Sequence, residues 1–475
     1  MEGQGRLGLV FLLLLLLLSL SQSLNSVEEQ HQNSLKLELI HRHAHPQLNS
    51  RHKTQLDRLK ELLHHDMIRL NMIAHKRRLG QNPPAAGGTV RKGNGSIEMP
   101  INSARDYGLG EYFVSFKVGT PSQKFTLMVD TGSELTWMNC RYRCGKRCRE
   151  NGRRINRRRV FWADLSSTFG PLPCSTWMCR VELMNLFSLT TCPTPLNPCN
   201  FDYRYIDGSS ASGFFANETV TLDVTNGRRA RLHDVLIGCS NSFKGITFDE
   251  GADGVLALAN SKYSFTAKAT QHFGGKFSYC LVDHLSHKSA SNYLIFGDNR
   301  EETSLLGETR HTKLELNLIR PFYAVNVVGI SIGDKMLEIP LMAWDATQGG
   351  GTVLDSGTSL TMLSDPAYKP VMAALVASVT KYPRVKLDGM PYCFNSTGFD
   401  STVVPKLVIH FADGARFEPF LKSYIIDAAK GVKCLGFMPG TWPTSSVIGN
   451  IMQQNHLWEF DLVRKTLGFT RSTCT

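Results

Sequence analysis

The sequence lacks long hydrophobic runs beyond its N-terminus, and no later segment approaches the roughly 20 apolar residues that a membrane-spanning helix needs. Charged residues are also scarce, at 20% of the chain against 42% apolar residues, so most of the chain can bury a core. These features exclude a membrane channel, a coiled coil, a collagen and a disordered protein. The 475 residues suggest about three domains by length alone. The chain contains 40 Gly and 20 Pro, which predict many turns, and 12 Cys, an even number that is high for a cytosolic enzyme.

The net charge of +12 suggests a nucleic-acid partner, but the distribution of that charge does not. Residues 1–96 carry a surplus of 6 positive charges and residues 141–159 a surplus of 9, which leaves −3 for the rest of the chain. The basicity is therefore confined to two local segments of a nearly neutral protein.

The first 23 residues are typical of a secretory signal peptide. Arg6 precedes an apolar run from Leu7 to Leu20, and small polar residues follow from Ser21 to Ser23. A noncleaved anchor is the alternative, and a plastid transit peptide fits less well because the apolar run is unbroken. We therefore expect the protein in the secretory pathway, extracellular or vacuolar, with the chloroplast as the alternative location.

Residues 24–96 are predicted to form a pro-segment followed by a linker. Apolar residues recur at helical spacing between positions 51 and 79, at Leu56, Leu59, Leu63, Leu70 and Ile73. Gly80 and the pair Pro83-Pro84 then end the helix, and residues 81–96 are rich in Gly and Pro. An ordinary solvated helix is the alternative interpretation.

From Gly110 onward the pattern is that of a mainly β protein. Residues 111–118 are rich in alternating aromatic and β-branched side chains, and residues 124–129 form a second strand after a Gly-Thr-Pro turn. Similar short strands recur to the C-terminus, as at 322–332 and 457–469. One clear helix is predicted at residues 365–381, with Asp365 as its N-cap and Pro366 at its first helical position.

Two nine-residue segments, 129–137 and 354–362, repeat one pattern at a separation of 225 residues. Each has an apolar strand end followed by Asp, a hydroxyl residue, Gly and a second hydroxyl residue. Leu-Thr follows at the same distance from the Asp in both copies, as Leu135-Thr136 and Leu360-Thr361. The residues concerned are Asp130, Thr131, Gly132 and Ser133 in the first copy and Asp355, Ser356, Gly357 and Thr358 in the second. A single Asp-Thr-Gly is a weak signal, but two matched copies after apolar strands are a strong one.

This repeat suits acid–base hydrolysis of a carbonyl compound. Gly permits the tight turn that aims each carboxylate outward, and the hydroxyls can hydrogen-bond the carboxylates. If the two Asp meet across a pseudo-twofold axis, like charges about 3 Å apart cannot both ionise, so the pair shares one proton. One carboxylate then acts as a base on a bound water, while its protonated partner polarises the carbonyl.

With these two loops the chain resembles the pepsin-like aspartic proteases, and more closely their nepenthesin-type plant branch. The resemblance covers nearly everything after the signal peptide. Residues 110–121 look like the mature N-terminal strand, and Val447-Ile448-Gly449 looks like the apolar element behind one catalytic loop. It implies a mainly β, bilobal fold with pseudo-twofold lobes and an active-site cleft between them. The N-terminal lobe would span residues 97–308, including a Cys-rich basic insert, and the C-terminal lobe residues 309–475.

The resemblance also implies an aspartic endopeptidase, made as a secreted zymogen, that hydrolyses polypeptides at acidic pH without metal or organic cofactor. Asp130 and Asp355 would be catalytic. Tyr205 and Gly208 belong to a segment that looks like the flap, and Trp137 matches the tryptophan that would hydrogen-bond Tyr205. The alternatives are a weakly active or non-catalytic binding protein on the same fold, and a DNA-associated plastid protease. Residues 277–284 also resemble the NANA-type plant aspartic proteases, some of which are assigned to chloroplasts.

The sequence departs from the family pattern at two positions. Ile206 stands in the flap where the branch commonly has Gly, which puts flap mobility in doubt. Ala257 stands in the second apolar element, Val255-Leu256-Ala257, where Gly is usual, and its methyl group is expected to crowd the loop behind the catalytic residues.

The twelve cysteines are expected to form disulfides rather than a zinc site. Zinc usually takes four Cys or His ligands, and no His lies between Met99 and Leu232. Sequence alone cannot assign the pairing. The resemblance suggests the pairs Cys140–Cys144, Cys148–Cys239, Cys174–Cys199, Cys179–Cys192, Cys280–Cys474 and Cys393–Cys434.

The basic insert at residues 141–159 is predicted to be a solvated surface loop. Docking on an acidic polysaccharide, membrane or nucleic acid is the alternative, but its few aromatic residues argue against stacking on bases. Asn94, Asn217 and Asn395 begin Asn-x-Ser/Thr triplets and are candidate glycosylation sites if the chain is secreted. A monomer is expected.

Overall fold

The computed structural model describes residues 35–41, 59, 66, 112–143, 159–183, 194–204, 210–223, 229–244, 252–282, 292–297 and 305–474. Numbered in chain order, the strands before residue 300 are β1 Leu35–His41, β2 Tyr112–Val118, β3 Gln123–Asp130, β4 Trp137–Arg141, β5 Phe161–Trp162, β6 Gly170–Pro171, β7 Asn200–Arg204, β8 Ser210–Asp223, β9 Arg229–Lys244, β10 Gly254–Ala257, β11 Lys276–Cys280 and β12 Asn292–Phe296. The later strands are β13 Arg310–Glu315, β14 Tyr323–Val325, β15 Val327–Ile332, β16 Lys335–Met336, β17 Thr352–Leu354, β18 Thr361–Ser364, β19 Arg384–Val385, β20 Cys393–Asn395, β21 Leu407–Phe411, β22 Arg416–Phe417, β23 Ile425–Ala429, β24 Val432–Leu435, β25 Phe437–Gly440, β26 Ser446–Ile448, β27 His456–Asp461 and β28 Thr466–Arg471.

In the described part of the chain, helices are few beside these strands. Three α-helices have both ends described, α1 Phe265–Phe273, α2 Asp365–Val379 and α3 Asn450–Gln453, and Met178–Leu183 is a π-helix. Leu59 and Asp66 are also helical. Single 3₁₀ turns occur at Ala163–Leu165, Leu341–Ala343, Ala346–Gln348, Ser401–Val403 and Leu421–Ser423. Within the described parts of the chain, no helix combines the length and the apolar character needed to cross a bilayer.

The two halves of the chain repeat one arrangement of strands. In the first half β3 runs parallel to β10, and in the second half β17 runs parallel to β26. The antiparallel pairing of β11 with β27 joins the halves, because it places residues 276–280 opposite 457–461. These central strands are buried and rich in β-branched and aromatic residues, which suits strands covered on both faces.

The first described strand, β1, lies in the region predicted as a pro-segment. It pairs antiparallel with β12 on one side and with β2 on the other, so part of residues 24–96, called the leader from here on, belongs to the central sheet. Leu35, Leu37 and Leu39 are buried at alternate positions, as expected for a strand with one face on the core. The strand was not predicted, although Leu-Lys-Leu-Glu-Leu has the period of two that indicates one.

The strands predicted at 111–118, 124–129, 322–332 and 457–469 are confirmed, the last two as strand pairs. The predicted helix is also confirmed, but its assigned N-cap was wrong. Ser364 is the N-cap because its backbone is extended, whereas Asp365 is already helical. The Asp365 carboxylate instead accepts from Lys369 Nζ at 2.6 Å, one turn along α2.

Two of the disulfides implied by the family resemblance are confirmed and four are wrong. Cys280–Cys474 and Cys393–Cys434 form as expected. Cys140 bonds to Cys239 rather than to Cys144, and Cys179 bonds to Cys199 rather than to Cys192. These bonds also exclude Cys148–Cys239 and Cys174–Cys199.

The pairing of β4 with β9 explains the first correction. The two strands are parallel neighbours with Met138 opposite Cys239, so Cys140 lies two residues further along, and its Cα atom is 5.0 Å from that of Cys239. That separation lies within the usual range for a disulfide. Cys174 is disulfide-bonded as well. Cys144, Cys148 and Cys192 lie outside the described residues.

His456 is a buried histidine in the core of the second half. Its side chain is 2% exposed, its ring lies 5.0 Å from that of Phe417, and its Nδ1 is 3.0 Å from the Gln454 carbonyl oxygen. Burial lowers the pKa of His456 to about 4, although the Gln454 carbonyl opposes the shift. The imidazole is therefore neutral in the folded chain at pH values where the unfolded chain is protonated.

This histidine is expected to reduce stability in acid. Between its unfolded pKa near 6.5 and its folded pKa near 4, the unfolded state binds more protons, so the free energy of unfolding falls as pH falls. The loss at pH 4.5 relative to pH 7 is about 2 kcal/mol from this group. Denaturant unfolding at both pH values should show a smaller loss for His456→Gln than for the parent chain. His311→Gln, at an exposed position, should behave like the parent, and an unchanged loss in His456→Gln would contradict the assignment.

Candidate active site

The two repeated loops occupy equivalent places in the two halves. β3 ends at Asp130, and β17 ends at Leu354, one residue before Asp355. Leu256 lies opposite Val129 in the first half, and Ile448 lies opposite Leu354 in the second. The predicted apolar elements therefore flank both loops in the same register, and both Asp are fully buried in the full-length chain.

Each carboxylate is held by the residues of its own loop. The Gly132 N–H donates to Asp130 Oδ1 at 2.8 Å, and the Ser133 hydroxyl donates to Asp130 Oδ2. In the second loop the Gly357 N–H donates to Asp355 Oδ1 at 3.2 Å, and Thr358 Oγ1 donates to Asp355 Oδ2 at 2.6 Å. The sequence repeat thus produces a repeat of hydrogen bonds, with one backbone donor and one hydroxyl donor on each carboxylate.

The middle hydroxyl residues join the two loops. Thr131 Oγ1 accepts from the Ser356 N–H at 2.9 Å, and Ser356 Oγ accepts from the Thr131 N–H at 3.3 Å. Thr131 Oγ1 also donates to Asp355 Oδ1 at 3.3 Å, so a residue next to one Asp contacts the other. These bonds bring together the six supporting residues and the two carboxylates predicted from the sequence.

A second group of polar residues, which sequence reasoning missed, supports the second loop from behind. Asn450 Nδ2 donates to the Ser356 carbonyl at 3.0 Å, and Gln453 Nε2 donates to the Ile448 carbonyl at 2.7 Å. Both side chains are buried. The signal that could have found them is the pair of amide residues, Asn450 and Gln453, that interrupts the apolar residues following Gly449.

Tyr279 completes this support from the joining strand β11. Its hydroxyl donates to Gln453 Oε1, and its side chain is buried. Burial raises the pKa of Tyr279 well above its usual value, and the negative charge of Asp355 raises it further. The phenol therefore stays protonated and remains a hydrogen-bond donor beside the second loop.

The two apolar elements differ at one equivalent position, which is Ala257 in the first half and Gly449 in the second. Ala257 is fully buried and keeps its pairing with Asp130, and its N–H donates to Thr136 Oγ1 at 3.0 Å. At Gly449 an added Cβ would lie 2.3 Å from the carbonyl oxygen of Leu360. Only the second element therefore requires glycine.

The remaining predicted residues have different outcomes. Trp137 is buried at the start of β4, with its ring 6.1 Å from that of Phe243. The flap residues Tyr205 and Gly208, and Ile206 between them, lie outside the described residues, as does Asn94. Asn217 is half-buried within β8 and Asn395 is exposed in β20. Across the described ranges no group of three or more His, Cys, Asp or Glu could hold a metal ion.

Comparison with known protein families agrees with the two matched Asp loops. A sequence model of the xylanase inhibitor N-terminal family matches residues 112–298, and one of the xylanase inhibitor C-terminal family matches residues 322–471. Aspartyl protease family protein 2 of Arabidopsis thaliana is 32% identical over 431 residues, which cover 90% of this chain and 83% of that protein. Aspartic proteinase nepenthesin-1 of Nepenthes gracilis is 26% identical over 445 residues, covering 91% and 94%.

The fold has solved relatives as well. The crystal structure of basic 7S globulin from soybean superposes with a TM-score of 0.59 at 21% identity, covering 77% of this chain and 92% of that one. Conglutin gamma from lupine seeds gives a TM-score of 0.58 at 20% identity. The mainly β, bilobal fold, its two matched Asp loops and the relatives that span most of its length show that the chain belongs to the pepsin-like aspartic protease family of plants.

Proposed function

We propose that the protein is an aspartic endopeptidase that hydrolyses peptide bonds of polypeptides at acidic pH. The observation that carries this proposal is the pair of carboxylates, Asp130 and Asp355, each held by a glycine N–H and a hydroxyl, with Thr131 linking one loop to the other carboxylate. Both carboxylates are present and both are supported, which a hydrolytic mechanism of this class requires.

In the proposed reaction the pair shares one proton. The ionised carboxylate takes a proton from a water molecule, whose oxygen attacks the peptide carbonyl carbon, while the protonated carboxyl donates its proton to the carbonyl oxygen. As the tetrahedral intermediate collapses, the carboxyl that took the proton from water gives it to the leaving nitrogen and the C–N bond breaks. One hydroxyl of the intermediate gives its proton to the other carboxylate, which restores the shared proton. Ser133 and Thr358 keep each carboxylate in one orientation, so little rearrangement is needed during the reaction.

The biological setting belongs to the same proposal. Residues 1–23 would direct the chain into the secretory pathway, for an extracellular or vacuolar destination, and residues 24–96 would make it a zymogen. The enzyme would act as a monomer, glycosylated at Asn94, Asn217 or Asn395, and the basic insert at 141–159 would dock on an acidic surface. The exposed side chain of Asn395 supports that residue as an acceptor.

A non-catalytic binding protein is the second candidate. The matching family models are named for xylanase inhibitors, and the solved relatives named above include a seed globulin. The matched hydrogen bonds on both carboxylates favour the protease, since a binding role alone does not need two carboxylates held in this way.

The test is cleavage of a diverse peptide library by the purified full-length chain from pH 2 to pH 7. We expect hydrolysis that rises as the pH falls below neutrality and is absent in Asp130→Asn. Asp164→Asn, at an exposed carboxylate of the same half, is the matched control and should cleave like the parent. Folded parent protein that cleaves nothing at any pH, with or without prior acid incubation, would favour the binding protein instead.

A further inference from the structure

Two backbone N–H groups directly after the second catalytic loop are occupied by a carboxylate from the leader. The Ser359 N–H donates to Asp66 Oδ1 at 2.5 Å, and the Leu360 N–H donates to Asp66 Oδ2. Asp66 lies 293 residues before Ser359 and is fully buried. A buried carboxylate is tolerated only when it is well hydrogen-bonded, so this contact is specific.

The leader adds an apolar contact next to the carboxylate. Leu59 is 5% exposed and belongs to the same apolar cluster as Phe322 and Leu360. Leu59 and Asp66 are both helical and are seven residues apart, which is about two turns of an α-helix. One face of the predicted leader helix therefore presents a leucine and a carboxylate to the second half of the chain.

The position of the contact relates it to catalysis. Ser359 is four residues after Asp355, and its neighbour Thr358 holds the Asp355 carboxylate through its hydroxyl. The leader is also fixed at a second place, because β1 pairs with β2 and β12 in the central sheet. Its two attachments, in the sheet and beside the catalytic loop, are separated by the 24 residues between His41 and Asp66.

We propose that the Ser359–Leu360 amide pair is a carboxylate-binding site, and that the leader fills it through Asp66 and thereby restrains hydrolysis. This inference deepens the proposed function and rests on it. Each oxygen of one carboxylate meets one N–H donor, so the group that competes for the site is an acidic side chain or a free carboxyl terminus. Such a peptide must displace Asp66 before it can lie beside Asp355.

The contact itself is tested without catalysis, in the full-length Asp130→Asn chain, which cannot process its own leader. Hydrogen–deuterium exchange at pH 7 would be followed at the Ser359 and Leu360 amides, with and without Asp66→Asn. We expect exchange to become about tenfold faster or more, because asparagine loses the charge and one acceptor oxygen. Asp57→Asn is the matched control, since nine residues are about two and a half helical turns and place Asp57 on the opposite face of the predicted helix. Equal exchange in all three chains would overturn the proposal.

The restraint on activity is tested with the native catalytic pair. Full-length Asp66→Asn should cleave a reporter peptide at least about tenfold faster than the parent before any leader is removed, and Asp57→Asn should match the parent. Faster exchange with an unchanged initial rate would overturn the inhibitory role. Faster exchange with no cleavage by any variant would count against the proposed function while supporting the carboxylate site.

Discussion

Replacing Asp355 with Asn is expected to lower kcat for peptide hydrolysis by about 10⁴-fold, the upper end for loss of one positioned acid or base. The amide keeps the shape of the carboxyl. Its single oxygen can accept from the Gly357 N–H while its NH2 group donates to the Thr358 hydroxyl oxygen, so the chain should fold. What it loses is the ability to carry the shared proton. KM should change little, because the side chain does not define the rest of the peptide-binding cleft.

Two further variants separate the chemistry from its support. Thr358→Val removes the hydroxyl that donates to Asp355 at 2.6 Å, and we expect kcat to fall by about 10- to 100-fold, since a hydrogen bond to a charged group contributes about 1.5–3 kcal/mol. Asp345→Asn, a half-buried carboxylate on a 3₁₀ turn of the same half, should leave kcat unchanged. Steady-state kinetics of the three variants would separate the contribution of the Asp355 carboxyl from that of the Thr358 hydroxyl, and denaturant midpoints would confirm that each variant folds. A folded Asp355→Asn chain with more than a few per cent of parental kcat would contradict the proposed mechanism.

The parts of the site that could be predicted from the sequence are those that local residues define. Asp130 and Asp355 each follow an apolar strand and precede a glycine and a hydroxyl, and these neighbours make the hydrogen bonds that orient them. The short strands could be predicted for the same reason, because alternation along five or six residues decides which face is buried. Matching the two copies then indicated that they meet, as Thr131 and Ser356 do.

What could not be predicted depends on partners far along the chain. The bond between Cys140 and Cys239 follows from parallel pairing of strands about 100 residues apart, which no local pattern specifies. The helical pattern of the predicted pro-segment did not single out Asp66, whose partners are the amides of Ser359 and Leu360. Asn450 and Gln453 support the second loop only because the folded chain brings their side-chain amides against the Ser356 and Ile448 carbonyls.

The family pattern predicted crowding at Ala257, but the structure places the tighter contact at the equivalent position in the other half. In the first half the Ser133 carbonyl accepts from the N–H of Ala259, two residues after Ala257. In the second half the Thr358 carbonyl accepts at 2.7 Å from the N–H of Asn450, the residue directly after Gly449. The chain therefore returns to the catalytic loop one residue sooner in the second half, which leaves no room beside Gly449 for a methyl group.

Gly449→Ala should consequently be among the most damaging single-methyl changes in the protein. The new Cβ would lie 2.3 Å from the Leu360 carbonyl oxygen and 2.6 Å from that of Ser359, and both are backbone atoms that cannot rotate away. We expect the free energy of unfolding to fall by about 3 kcal/mol or more, as in severe overpacking. The residual folded protein should also lose kcat, because relief of the clash moves the segment that carries Thr358 and Asp355.

The reciprocal variant is the matched control for this prediction. Ala257→Gly removes a buried methyl from the more open half and adds backbone freedom to the unfolded chain, which should cost about 1 kcal/mol and leave kcat close to that of the parent. Denaturant unfolding and peptide-cleavage kinetics of the two variants would be measured side by side. Similar losses in both would mean that the two apolar elements are equivalent after all, and that the earlier return of the chain at Asn450 does not set the requirement for glycine.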